Sequence, residues 1–158
     1  MPLCEDQLQR HFSRIWPIHV EGFSALLITL RQHFGGDLDC MLVLAVIGTR
    51  TLPHRRLGDG SYEDFNKGTR LHEPDPINIQ SIAACTGIPR ETVRRKIQWL
   101  EAQGWLERNG NGWLFATGKA ARDLAPMTEA TIRYLTCIGS ACIDIHEAEQ
   151  GLGAEPGA

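Results

Sequence analysis

The stretch "INIQSIAACTGIPRETVRRKIQWLEAQGWLERNGNGWLFATGKAARDL", Ile77 to Leu124, decides the fold. Asn78 has the side chain to cap a short helix over Ile79–Cys85, with Ile79, Ile82 and Ala83 facing inward. Thr86-Gly87-Ile88 reads as a tight turn in which Gly87 supplies the backbone freedom. Pro89 stands at or just before the first position of a second helix, where its missing N–H costs nothing. That helix runs to Gln103 and stops at Gly104. Trp105–Arg108 and Trp113–Thr117 are short extended runs joined by "NGNG", Asn109–Gly112, and Asn-Gly is a strong hairpin signal. Thr117 can cap a further helix to about Leu124. Helix, turn, helix and hairpin in this order predict a winged helix-turn-helix within a mainly α fold with one small β-hairpin.

The second helix packs Arg90, Arg94, Arg95 and Lys96 into seven positions. At about 100° per residue, Val93, Ile97 and Leu100 fall in one narrow arc that must face the core. Glu91, Arg94, Arg95 and Gln98 fall on the far side, Thr92 on a flank with Trp99, and Arg90 and Lys96 on the shoulders of the apolar arc. Arg reads guanine through two hydrogen bonds, Gln suits adenine, and Glu accepts from cytosine. Shoulder cations and Thr92 are placed for phosphates, which set register without carrying sequence information. A solvated helix face would also be charged. Against that reading, Glu91, Glu101 and Glu107 are the only acids between Thr86 and Phe115. The expected DNA contacts are therefore Arg90, Glu91, Thr92, Arg94, Arg95, Lys96 and Gln98, with Arg108 at the base of the wing and Asn111 at its tip.

Regional charge agrees. The 158-residue chain has a net charge of −3, yet residues 77–125 hold 7 Lys and Arg against 4 Asp and Glu, between acidic flanks. An anionic partner is expected for the middle alone. The longest apolar run, Cys40–Ile47, is far too short to span a bilayer, and "MPLCEDQLQR" carries acids where a secretion signal needs a basic start. A cytoplasmic protein without membrane contact is expected. Five cysteines (Cys4, Cys40, Cys85, Cys137, Cys142) show no CxxC or paired spacing, and six histidines show no HxH or HExxH. No metal or cofactor is expected. The sequence also lacks a P-loop, a GxGxxG and a GxSxG, so no enzymatic activity is expected.

Helical extensions flank this segment. Leu8, Phe12, Ile15 and Trp16 recur at helical spacing before Pro17, which breaks or restarts the helix. Val20, Phe23, Leu27, Leu30 and Phe34 continue on one face until Gly35-Gly36. Asp37 or Asp39 caps a helix to about Thr51 that is apolar almost all round and should be central. Residues 52–77 have no sustained period and hold at most a short turn after Ser61, with Glu63 and Asp64 in it. His54, Arg55 and Arg56 form a small basic cluster there, read as a solvated loop. A last helix is expected from Thr128 to about Glu149, striped by Ile132, Leu135, Ile138, Cys142 and Ile145, before a disordered tail. The expected organisation is 1–36, dimerising helices; 37–125, the DNA-binding domain with its long loop; and 126–158, a dimerising helix and tail.

The Ile77–Leu124 stretch resembles the winged-helix domains of bacterial transcription regulators of the MarR and IclR type. The resemblance lies in Gly87-Ile88-Pro89-Arg90, Thr92-Val93, Arg95, Leu100-Glu101 and Gly104-Trp105-Leu106, and in "TGKAARDL" after the wing. It implies a homodimer on an imperfect palindrome of double-stranded DNA, often released or recruited by a small ligand whose identity stays open. The expected function is a sequence-specific transcription regulator, a repressor. The alternative is a winged helix serving as a protein-interaction or architectural module without sequence reading.

Overall fold

The computed structural model describes residues 4–51, 61–67 and 75–152. Its elements are helices α1 (Glu5–Arg10), α2 (Phe12–His33), α3 (Leu38–Thr51), α4 (Tyr62–Lys67), α5 (Ile79–Thr86) and α6 (Arg90–Ala102). Strands β1 (Leu106–Arg108) and β2 (Leu114–Ala116) follow, then α7 (Gly118–Asp123) and α8 (Ala125–Leu152). Among the described residues the chain is thus mainly helical with one two-stranded antiparallel sheet. It divides into two compact units. One runs from Leu30 to Pro126; the other combines the residues up to Thr29 with those from Met127 onward. The first boundary lies before Gly36 because Phe34 is buried in the core of the middle unit, with Leu30 packed against it.

In the middle unit, Val93, Ile97 and Leu100 of α6 are wholly buried, as their arc on the wheel requires. They share a core with Val43, Leu44 and Ile47 of α3, Ile82 of α5, and Trp105, Leu106 and Leu114 around the hairpin. Helix α3 is central, touching α5, α6 and β2, although Leu42 on its outer side is 38% exposed. Of the two candidate caps, Asp37 is the one used: its Oδ1 accepts from the N–H groups of Asp39 at 3.0 Å and Cys40 at 3.2 Å. Asn78 caps α5 through the Ser81 N–H, and Thr117 caps α7 through the Ala120 N–H. Strand register pairs Leu106 with Ala116, Glu107 with Phe115 and Arg108 with Leu114. The Leu114 N–H donates to the Ile77 carbonyl at 3.0 Å, tying the hairpin to the chain entering α5. Within 52–77, α4 is the expected short turn, with Ser61 and Asp64 capping one another. The His54–Arg56 cluster and the tail from residue 153 lie outside the described residues.

Pro17 and the start of the last helix differ from expectation. Pro17 does not break the first long helix; the interruption comes at His11, and α2 runs through Pro17. Only one helical bond is lost, to the carbonyl of Ser13 near the helix start, and Ser13 is exposed so that water can serve it. Pro126 does not delay the last helix; it lies in the first turn of α8, where its absent N–H has no helical role.

In the terminal unit, Arg10 grips Glu149 with Nη2 at 2.7 Å and Nε at 3.0 Å, and His11 adds a contact at 3.1 Å. The Arg10 bond, helped by His11 against the cost of burial, holds the Glu149 carboxyl down at about 2. His19 and the Tyr134 hydroxyl share a hydrogen bond of 2.8 Å. The apolar stripes are only partly covered. Of the α8 set only Ile145 is fully buried, whereas Ile132 and Leu135 are 43% and 58% exposed, and on α2 Val20 and Phe23 are also exposed. Two antiparallel long helices have too little facing surface to cover both stripes.

Gly22 explains how α2 and α8 approach. A β-carbon there would lie 2.9 Å from Cδ2 of Tyr134. Glycine inside a helix normally costs roughly 1 kcal/mol against alanine, so its presence marks a steric need. Gly22→Ala is accordingly expected to lower stability in urea unfolding, despite its better helix propensity. A gain in stability would sink this account of the helix contact.

Candidate nucleic-acid interface

Helix α6 is presented by the three-residue turn before it. Gly87 takes φ 73°, and the Thr86 hydroxyl donates to the Ile82 carbonyl at 2.8 Å while accepting the Ile88 N–H at 3.2 Å. Pro89 is the residue just outside the helix, so Arg90 opens it. At the far end Gly104 takes φ 76°, and the Trp105 N–H returns to the Leu100 carbonyl at 3.0 Å. The helix direction is therefore held at both ends by backbone geometry.

With the inner arc buried, Arg90, Glu91, Arg94, Arg95 and Gln98 are all exposed, and Thr92, Lys96 and Trp99 are half-buried along one flank. Three of the five cations in the expected contact set hold carboxylates. Arg94 grips Glu91 one turn back, Nη2 at 2.5 Å and Nε at 2.9 Å; this bond raises the arginine and lowers the carboxyl. Arg108 lies against Glu101, with Nε at 2.5 Å. Lys96 binds Oδ2 of Asp37, the residue that caps α3. Burial works to raise Asp37, but the Lys96 bond and the two capping N–H groups outweigh it and hold the carboxyl below its usual range. The same bond raises Lys96.

The side chains of Arg90 and Arg95 make no hydrogen bond or ion pair with any described residue, although Arg95 helps through space to lower the Glu91 carboxyl. At the hairpin, Asn109 organises the tip: its Oδ1 accepts from the N–H groups of Asn111 and Trp113, each at 3.0 Å, and Asn111 is exposed. The outer face of α6 thus offers free guanidinium, an amide and a half-engaged Arg–Glu pair to a large partner. Exposed ion pairs such as Arg94–Glu91 are weak, so a phosphate or base edge can draw the arginine away.

Asp37 is the residue sequence reasoning missed here. Its capping role was readable from "GGDLD", but its bond to Lys96 spans 59 positions and has no local signal. Beside it, Phe34, Asp37, Cys40, Thr92, Arg95, Lys96 and Trp99 border a hollow of about 370 Å³. Burial, with the Asp37 carboxylate nearby, pushes the Cys40 thiol up to about 11, so it stays protonated at neutral pH.

Among the described residues no helix is long and apolar enough to cross a membrane. Compared with protein-family models, curated proteins and solved structures, the chain finds no match.

The two kinds of ion pair should separate by mutation. Lys96→Met removes a half-buried donor from a capping carboxylate and is expected to cost about 1 kcal/mol in urea unfolding. Arg94→Met, on a solvent-exposed pair, should leave the unfolding midpoint unchanged. Equal losses in both would mean that the Asp37–Lys96 bond holds nothing in place.

Proposed function

We propose that the protein is a sequence-specific regulator of transcription that binds double-stranded DNA through α6, acting as a cytoplasmic homodimer and as a repressor by occupying a palindromic operator. The observation that carries this reading is that two arginines of the second helix of a helix–turn–helix–hairpin unit hold no carboxylate among the described residues, Arg95 beside Gln98 on the outer face and Arg90 on the shoulder near the helix start. The resemblance to winged-helix regulators of the MarR and IclR type supports it from the residues that define the turn, the helix and the wing. No enzymatic activity or cofactor belongs to the reading.

In this mechanism α6 lies in the major groove. Arg95, Gln98 and Arg94 read base edges, with Arg94 leaving Glu91 to do so, and Glu91 becomes free to accept from a cytosine. Arg90, Thr92 and the partial positive charge of the α6 N-terminus meet phosphates. Arg108 and Asn111 place the wing on the backbone. Lys96 no longer belongs among the phosphate contacts, because its ammonium serves Asp37.

The second subunit is argued from the terminal unit. Phe12, Trp16, Val20 and Phe23 on α2, and Ile132, Leu135 and Ile143 on α8, are each 41–59% exposed. The first four follow one another at helical spacing, and Phe12 stacks on Trp16 with ring centres 5.0 Å apart. So much apolar and aromatic surface calls for cover, and a two-fold protein matches two half-sites one helical turn apart.

Selection of genomic fragments by the purified protein tests the DNA reading. The expected result is an enriched palindrome, with affinity falling steeply as salt rises. Arg95→Ala should cost about 1–3 kcal/mol and relax the preference at one position per half-site. Motif-free binding, unaltered by Arg95→Ala, would favour an architectural or protein-binding module, a reading to which the three engaged cations already lend weight. Sedimentation velocity tests the dimer: wild type should sediment as a dimer and Leu135→Asp as a folded monomer. A monomeric wild type at micromolar concentration would remove the two-fold model.

A further inference from the structure

An exposed ion pair between residues three apart on a helix adds little to stability, so the place of the Arg94–Glu91 pair decides what it does. Glu91 is the only carboxylate between Thr86 and Leu100, and it stands on the outer face of α6 among the arginines proposed to meet DNA. The grip uses both carboxylate oxygens and two guanidinium nitrogens, Nη2 to Oε1 at 2.5 Å and Nε to Oε2 at 2.9 Å. Both side chains remain open to solvent, Arg94 at 45% and Glu91 at 64%, so a large partner can reach either. The Arg94 bond holds the Glu91 carboxyl below its usual range, with the charges of Arg94 and Arg95 adding to the effect. The acid is therefore ionised at neutral pH and acts on two arginines at once. Residues three apart are separated by about 4.5 Å along a helix axis, close to the ~3.4 Å between base pairs. The two side chains thus address the same base pair or adjacent ones.

What can open the pair follows from the donors and acceptors on each DNA surface. A phosphate can take the guanidinium but has nothing to donate to the carboxylate, which is left beside a second anion. An A·T pair sets the adenine amino donor beside N7, so the two guanidinium N–H groups find no paired acceptors there. A G·C pair replaces both partners: guanine N7 and O6 accept from the guanidinium, and the cytosine N4 amino group donates to the carboxylate. Resting on the proposed DNA reading, we infer that Glu91 is a specificity filter, withholding Arg94 from phosphates and releasing it over a G·C pair whose cytosine amino group takes the carboxylate in exchange. Each operator half-site then carries a G·C pair opposite the first two turns of α6. The filter weakens binding to arbitrary sequence more than binding to the operator, so this acid raises discrimination while lowering overall affinity.

The full chain is assayed on a random-sequence duplex and on the site that wild type selects. Glu91→Ala, an exposed change, should tighten binding to the random duplex by about threefold per helix engaged, the worth of an exposed ion pair. Its salt dependence should steepen by about one released counterion. In an Arg94→Met background the same change should have little effect, because no arginine is set free. A gain of equal size in both backgrounds would mean that Glu91 only repels phosphates, and would overturn the filter.

The exchange with cytosine is read with N4-methylcytosine, which keeps base pairing and removes the amino hydrogen that faces the major groove. Placed at each cytosine of the selected site in turn, it should cost wild type about tenfold or more at one position per half-site. Glu91→Ala should be indifferent at that position. Wild type indifferent at every cytosine, or Glu91→Ala equally sensitive, would sink the exchange. The two readings fail separately. A wild type that enriches no motif removes the regulator reading and the filter with it, whereas a motif that Glu91→Ala binds with unchanged selectivity removes the filter alone.

Discussion

Burial of Val93, Ile97 and Leu100 against α3 is the contact from which the rest of the middle unit follows. An α-helix has only one rotational freedom once its axis is placed, and these three residues, all at zero exposure, remove it. Because the helical repeat is fixed, seating the inner arc also decides which side chains point away. Glu91, Arg95 and Gln98 face outward as a consequence of where Val93 and Ile97 must go. The chemistry of the outer face is thus set by a purely apolar constraint on the inner one. The Gly87 turn and the Gly104 stop complete the placement, since each lets the backbone reverse where a side chain would clash or strain.

Asp37 adds a polar constraint of longer range. The residue ends the turn after α2, caps α3 with two backbone bonds and holds Lys96 of α6. Its position links the start of the central helix to the flank of α6. This dual role changes the accounting of charge on α6: a lysine that looks like a phosphate contact is committed internally, and Arg95 stands out against the neutral Asp37–Lys96 pair beside it. The cations on this helix therefore fall into two kinds, one held by Asp37 on the inner shoulder and others facing outward. Counting Arg and Lys alone conflates the two.

The terminal unit follows a different logic. Its helices are joined by a few specific contacts: the Arg10–Glu149 grip, the His19–Tyr134 bond and the close approach at Gly22. Those contacts orient α2 and α8 without covering their apolar faces. A surface that exposes Trp16, Phe23 and Leu135 together is costly in water for an isolated chain. The second subunit proposed above would bury part of that surface.

Local chemistry was enough to read the caps at Asn78 and Thr117, the glycine turn, the hairpin and its Asn-Gly link, and the inner arc of α6. Each depends on residues within a few positions of one another. Where expectation failed, the deciding partner was distant or was solvent. Pro17 is tolerated because water can serve the one carbonyl it orphans, and the α8 stripe stays open because no described segment covers it. The engagement of Lys96 depends on Asp37 being brought beside it by packing of α3 on α6. The hollow at Arg95 is bordered by Phe34 and Trp99, which come from different elements and both pack on Trp105. Periodicity and capping are properties of neighbours in the chain, whereas ion-pair partners, cavities and uncovered faces are properties of neighbours in space. Only the folded core creates the second kind.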